Sequence, residues 1–224
     1  MYSKFTDKEL LDILGKQKTL TFASQLMLRS ELNTRGYSRI SNELEEEIEN
    51  RNQKIAELDY LKDIGFSVEK NEFYLKLTRS TLATIMDIFS IILGLICCYL
   101  GLNGLFGLLA SIFGETELNL LGVVFYVLFT AIGYLGVTFL NGIQRLIDYS
   151  DFELIAANGL VTLKKRLDLK LINIEKPQSE LSLIENSDKI DLKLGDTEIL
   201  SVSANNVIQS RTIKHLFQEI MKFS

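Results

Sequence analysis

Residue types that do chemistry are sparse in this 224-residue chain, and none stands at a catalytic or metal-binding spacing. The single histidine, His215, excludes the two-histidine zinc motifs. The two cysteines, Cys97 and Cys98, are adjacent within an apolar run, which excludes a disulfide framework and a spaced metal site. Glu45-Glu46-Glu47 lacks the carbonyls and spaced ligands of a calcium loop and reads as a solvated helix face. The sequence contains no nucleophile elbow, no phosphate-cradling glycine loop and no acid–base pair. The expectation is a non-enzymatic protein with no catalytic residue, no metal and no cofactor. The chemistry that remains is charge set against apolar surroundings. Asp87 is an acid in a long apolar stretch, and an acid inside a membrane is a candidate for proton or ion coupling. It stands near one end of that stretch, at the level where Arg145 leaves a second one, so a structural Asp87–Arg145 ion pair is the expected role. Lys164-Lys165-Arg166 is the only basic triplet. It reads as a solvated strand end or as a contact to anionic headgroups, where each basic residue contributes about 1 kcal/mol.

The elements that position these residues follow from hydropathy. From Leu82 to Gln144 there is no Lys or Arg, and the acids are Asp87, Glu115 and Glu117. Ile88–Gly114 and Leu118–Gln144 are each about 27 residues without a charge, more than the ~20 that cross a bilayer. The pattern predicts a two-helix transmembrane hairpin over 82–145. The first span reads either as Leu82–Leu102, with Asn103–Phe113 as an apolar turn or interfacial helix, or as Ile88–Ala110. Asn103-Gly104 and Gly107 favour a break. Gly94, Cys97, Cys98 and Gly101 on the first span, with Gly133 and Gly136 on the second, allow close helix approach within the hairpin or in a homo-oligomer. Lys70, Lys76 and Arg79 precede the hairpin, whereas Arg145, Lys164, Lys165 and Arg166 follow it. The connection Gly114-Glu115-Thr116-Glu117 has no basic residue, so the positive-inside rule places both termini in the cytoplasm. Met1–Lys18 is charged and lacks the apolar core of a signal peptide, so the first span is expected to direct insertion. The net charge of -5 is spread along the chain, and no basic surface for nucleic acid stands out.

Ahead of the hairpin, Thr6-Asp7-Lys8-Glu9 is a capping box that opens a short helix ending near Gly15. A second helix is expected from about Leu20 to Arg35, with Gly36 as a left-handed C′ residue. Ser41 then opens a longer helix, Asn42 to about Ile64, closed by Gly65. Its Leu44, Ile48, Ile55 and Leu58 form either the buried stripe of a small bundle or the seam of a coiled coil between subunits. Phe5–Leu14, Ala23 and Glu31-Leu32-Asn33-Thr34-Arg35-Gly36-Tyr37 resemble a short helical module found ahead of transmembrane helices in uncharacterised bacterial membrane proteins. Lys8 departs from that pattern, as does the lack of a Pro and a Tyr between the helices. The resemblance implies a bacterial origin more than an activity, and with the hairpin the expected location is the bacterial inner (cell) membrane.

Past Asp148 the periodicity turns from helix to strand. Asn158-Gly159 supplies the two positive-φ residues of a type I′ hairpin turn. Six strands are expected, over Phe152–Ala156, Leu160–Lys165, Leu169–Ile174, Glu180–Glu185, Ile190–Leu194 and Thr197–Val202. A helix follows over about Ser210–Phe223, with Ile213, Leu216, Phe217 and Ile220 on one face and His215 turned away from it. Several short strands closed by one helix suggest a small barrel plugged by that helix. Phe152-Glu153-Leu154, Asn158-Gly159-Leu160-Val161, Ser179–Glu185, Lys189–Leu194 and the last helix resemble bacterial PH-like domains. That family usually has seven strands, one more than expected here, and it implies a binding or assembly module without catalytic residues.

The expected fold class is therefore an α+β membrane protein. Its parts are an N-terminal helical module (1–36), an amphipathic helix and linker (37–81), the hairpin (82–145) and a PH-like barrel capped by a helix (150–224). The expected partners are the lipid bilayer and either a second copy or another protein. The expected function is a membrane-anchored scaffold or binding protein. The alternatives are a homo-oligomeric channel or transport-class protein, and a membrane immunity or stress factor.

Overall fold

Local capping starts the chain's first elements in the computed structural model, which describes residues 2–37, 42–114, 120–167 and 170–223. The Thr6 hydroxyl accepts from the Glu9 N–H, and the Glu9 carboxylate accepts from the Thr6 N–H at 2.7 Å, opening α1 (Asp7–Leu14). The Thr21 hydroxyl accepts from the Ser24 N–H and caps α2 (Phe22–Thr34), and Gly36 follows it at φ 82°. Next comes α3 (Asn42–Ala56); Ser41, expected to open it, lies outside the described residues.

The helix expected to reach Ile64 stops at Ala56. Leu58 turns left-handed at φ 59°, a 3-10 helix covers Asp59–Ile64, and Gly65 ends it at φ 90°. A left-handed leucine costs roughly 1–2 kcal/mol. Leu58 is 4 % exposed and Leu61 fully buried, and burying one leucine contributes about 1.5–3 kcal/mol, so tertiary packing outweighs the local strain. Leu44, Ile48 and Ile55 are buried in one cluster with Leu10, Phe22, Leu28 and Leu32. The apolar stripe of α3 is thus covered within the chain, and no seam remains for the coiled coil considered above.

The chain divides into two compact units that interleave in sequence. One holds Met1–Lys76, Ile155–Thr162 and Glu175–Ser224; the other holds Leu77–Leu154 and Leu163–Ile174. The segment expected as helix and linker also carries two strands, β1 (Phe66–Lys70) and β2 (Leu75–Arg79). They join β3 (Glu153–Ala157), β4 (Leu160–Leu167) and β5 (Lys170–Pro177) in a five-stranded sheet whose order follows the sequence. Asn158 (φ 51°) and Gly159 (φ 74°) make the turn between β3 and β4. Leu169, expected to open a strand, lies outside the described residues.

A 3-10 turn over Gln178–Glu180 then redirects the chain into a second, three-stranded sheet. Here β6 (Leu181–Glu185), β7 (Lys189–Leu194) and β8 (Thr197–Ser203) pair antiparallel, with Leu192 opposite both Leu183 and Leu200. The closing helix α7 (Val207–Ile220), capped by Asn206, buries Ile213, Leu216 and Ile220. The expected plugged barrel is therefore corrected: among the described residues there are two sheets and no closed barrel, because the Gln178–Glu180 turn starts a new sheet instead of extending the first. The observed class is a mixed α+β fold.

In the second unit, α4 (Thr81–Phe113) is one uninterrupted helix of 33 residues. At ~1.5 Å a residue it is about 50 Å long. The expected break at Asn103-Gly104 is absent because both residues are satisfied in the helix. The Asn103 amide donates to the Tyr99 carbonyl one turn back at 2.8 Å, and a Cβ on Gly104 would lie 2.7 Å from atoms of Tyr126, Phe129 and Thr130 on α5 (Leu120–Phe139). A break at Leu140 leads into α6 (Asn141–Asp148). Thr81–Phe113 and Leu120–Asp148, whose most apolar 18-residue windows have mean hydropathies of 2.3 and 2.2, are two helical stretches long and apolar enough to cross a membrane. The acidic connection, Glu115 to Glu117, lies outside the described residues.

Candidate functional site

Strand β2 delivers Arg79 to the start of α4, where the Ser80 hydroxyl accepts the Ala83 N–H at 3.2 Å and fixes the strand-to-helix turn. Two helical turns further on is Asp87, 5 % exposed. Its Oδ2 accepts from Arg79 Nη2 at 2.6 Å, and its Oδ1 lies 3.7 Å from Arg145 Nε. Arg145 stands on α6, and Gly142 lets that helix lie close: a Cβ there would meet the Asp87 carbonyl oxygen at 3.0 Å. Removing a carboxylate from water is costly unless it is paired and hydrogen-bonded, and the two guanidiniums provide that pairing.

Aromatic and charged side chains surround this triad. The Arg79 guanidinium sits 5.1 Å from the centre of the Tyr149 ring, and Lys165 Nζ lies 5.5 Å from the same ring. Tyr149 meets Phe152 edge-on at 5.7 Å. Asp151 takes a left-handed φ of 63° and receives Arg166 at 3.1 Å. A cavity of about 260 Å³ is lined by Arg79, Asp87, Arg145, Tyr149, Ser150 and Asp151, among others. The arrangement offers guanidinium and hydroxyl donors beside an aromatic wall. What it shows directly is charge pairing, Asp87 with Arg79 and Arg145.

Each residue singled out from the sequence has a definite place. Asp87 and Arg145 come together, but the closer partner of Asp87 is Arg79, which sequence reasoning counted only as a flanking charge. Helix spacing could not reveal it, since Arg79 belongs to a strand. The basic triplet is divided by strand alternation on β4. Lys165 is 8 % exposed and faces Tyr149, while Lys164 and Arg166 are half-buried. Gly94 and Gly101 pack on Gly136 and Gly133, Cys97 and Cys98 contact Gly136, and a Cβ on Gly101 would fall under 3.0 Å from the Gly133 backbone. These small residues line the contact of α4 with α5.

A second buried acid sits in the other unit. Glu219 on α7, 4 % exposed, accepts from Lys70 and, at 2.6 Å, from Lys222. His215, expected to face away, lies 3.4 Å from the same carboxylate and 3.1 Å from the Ala56 carbonyl. Burial raises the Glu219 pKa, but hydrogen bonds from Lys222 and Lys70 outweigh it and hold the carboxyl below its ordinary value. No protein-family model, curated protein or solved structure matches this chain.

Proposed function

We propose that this protein is a non-enzymatic membrane-anchored scaffold or binding protein. Its α4–α5 hairpin crosses a bacterial cell membrane, and its soluble parts and both termini face the cytoplasm. The observation that carries this reading is the junction: β2 leads into α4, α6 leads into β3, and β2 and β3 are neighbours in one sheet. Neighbouring strands share one side of a bilayer, so a hairpin that leaves from one and returns to the other crosses twice. Basic residues crowd both flanks, which the positive-inside rule assigns to the cytoplasm.

The strands β3 to β8, closed by α7, support a PH-like module over 150–224 that follows the hairpin. Such a module implies binding of a protein partner or a second copy, not catalysis. The pairing of Asp87 with two arginines supports a structural carboxylate over an ion-coupling one, and no second charged residue follows it between Ile88 and Gly114.

Single cysteines at Thr116 and Ser187, in a background lacking Cys97 and Cys98, test the orientation with an impermeant reagent on intact cells. Thr116 is expected to react and Ser187 to react only after permeabilisation; the reverse pattern overturns the reading. The oligomeric state in detergent tests the transport alternative, because a two-helix monomer cannot enclose a pathway.

A further inference from the structure

We infer that the cavity at the base of α4 and α6 binds a phosphate group carrying a single negative charge, the chemistry of a phospholipid phosphodiester, with Arg145 as the main contact. The inference rests on the proposed membrane reading of the hairpin.

Charge comes first. Asp87 carries one negative charge against the two positive charges of Arg79 and Arg145, and Asp151 is matched by Arg166. The Arg79–Asp87–Arg145 triad therefore keeps one positive charge, with the Lys165 ammonium beside Tyr149 as a further cation, and this excess suits an anionic phosphate group such as a phosphodiester. The excess is concentrated on Arg145. Arg79 has a side chain only 12 % exposed, whereas that of Arg145 is 58 % exposed. Arg145 approaches Asp87 through Nε at 3.7 Å, and a guanidinium can bind phosphate oxygens in a bidentate manner through its remaining N–H groups.

Space and position agree. The cavity of about 260 Å³ is several times the ~30 Å³ share of one water, and Thr84 and Ser150 add hydroxyls to its lining. Asp87 immediately precedes the uncharged stretch that begins at Ile88, which spans about 40 Å as helix against a hydrocarbon core of ~30 Å. The triad thus stands at headgroup depth. Next to it on α4, Leu82, Ile85, Met86 and Phe89 are 55–70 % exposed and offer an apolar surface to acyl chains.

The test is lipid retention by the full-length protein in mild detergent, read by native mass spectrometry. The probes are phosphatidylglycerol, diacylglycerol with the same chains, and inorganic phosphate. Wild type is expected to retain phosphatidylglycerol over diacylglycerol, and Arg145→Gln to lose about fivefold of that preference, the share of one arginine at an anionic surface. Asp87→Asn removes the negative charge from the site and is expected to raise retention. If it fails to fold, the exposed Arg145 variant still decides the matter. Displacement of the lipid by inorganic phosphate would identify a site that also takes free phosphate; resistance to displacement would identify a headgroup site. Equal retention of both lipids, or retention unchanged in Arg145→Gln, overturns the inference. A protein absent from the membrane fraction overturns the membrane reading instead.

Discussion

Asp87 and Glu219 are the two buried carboxylates among the described residues, and their surroundings differ in a way that sets their roles. Asp87 is held by Arg79, whose side chain is 12 % exposed, on a helix whose neighbours are apolar. Glu219 is held by Lys70 and Lys222, with side chains 48 % and 64 % exposed. When Glu219 is lost, its lysines return to water. When Asp87 is lost, Arg79, only 12 % exposed, has far less access to water. Two acids with equal burial therefore differ in what their removal costs, because the cost lies in the partner left behind.

The largest effect is expected from Asp87→Leu. Breaking a buried pair by deleting one partner costs about 3–5 kcal/mol, so this variant should unfold much earlier in a denaturation series in detergent. Asp87→Asn keeps an acceptor for Arg79 and should lose less. Glu219→Leu should cost about 1–2 kcal/mol, close to the loss of charged hydrogen bonds whose donors are re-solvated. If the two leucine variants were equally damaging, the contrast between their partners would fail.

The pH dependence sharpens the same contrast. Glu219 titrates below the ordinary 4.5, so its ion cluster contributes stability that is complete above that value. The contribution is lost as pH falls through the lowered folded-state value. Thermal melts should therefore show a loss of stability in acid that Glu219→Gln partly removes. The smallest effect is expected from Arg145→Gln, within about 1 kcal/mol by thermal melting, because its side chain is mostly exposed. A large loss there would mean that Arg145, not Arg79, holds Asp87 in place.

Much of the fold was readable wherever local chemistry decides it. The Thr6–Glu9 box, the Gly36 and Gly65 stops and the Asn158-Gly159 turn each act over a few residues, and the six strands after Asp148 lie within a few residues of their expected bounds. Tertiary effects were not readable. Leu58 ends a helix pattern early because the core beneath it takes the side chain. Asn103-Gly104 looks like a break but is continuous helix, because α5 fills the space a Cβ would need. Leu75 and Leu77 alternate with Lys76 and Thr78, a legible strand signal, yet its partner β3 lies beyond the whole hairpin. The site was half readable: Asp87 and Arg145 follow from charge in an apolar run, while Arg79 enters only through the strand-to-helix junction. The triplet Lys164-Lys165-Arg166 looked like one patch, but strand alternation divides its side chains.

The most direct test of the scaffold reading is ion and proton flux in proteoliposomes loaded with the wild-type protein, alongside Asp87→Asn. With Asp87 locked between two arginines, no flux above empty liposomes is expected from either protein, and both should insert and assemble alike. Flux in the wild type that Asp87→Asn abolishes, with assembly intact, would contradict the account and make Asp87 an ion-coupling group.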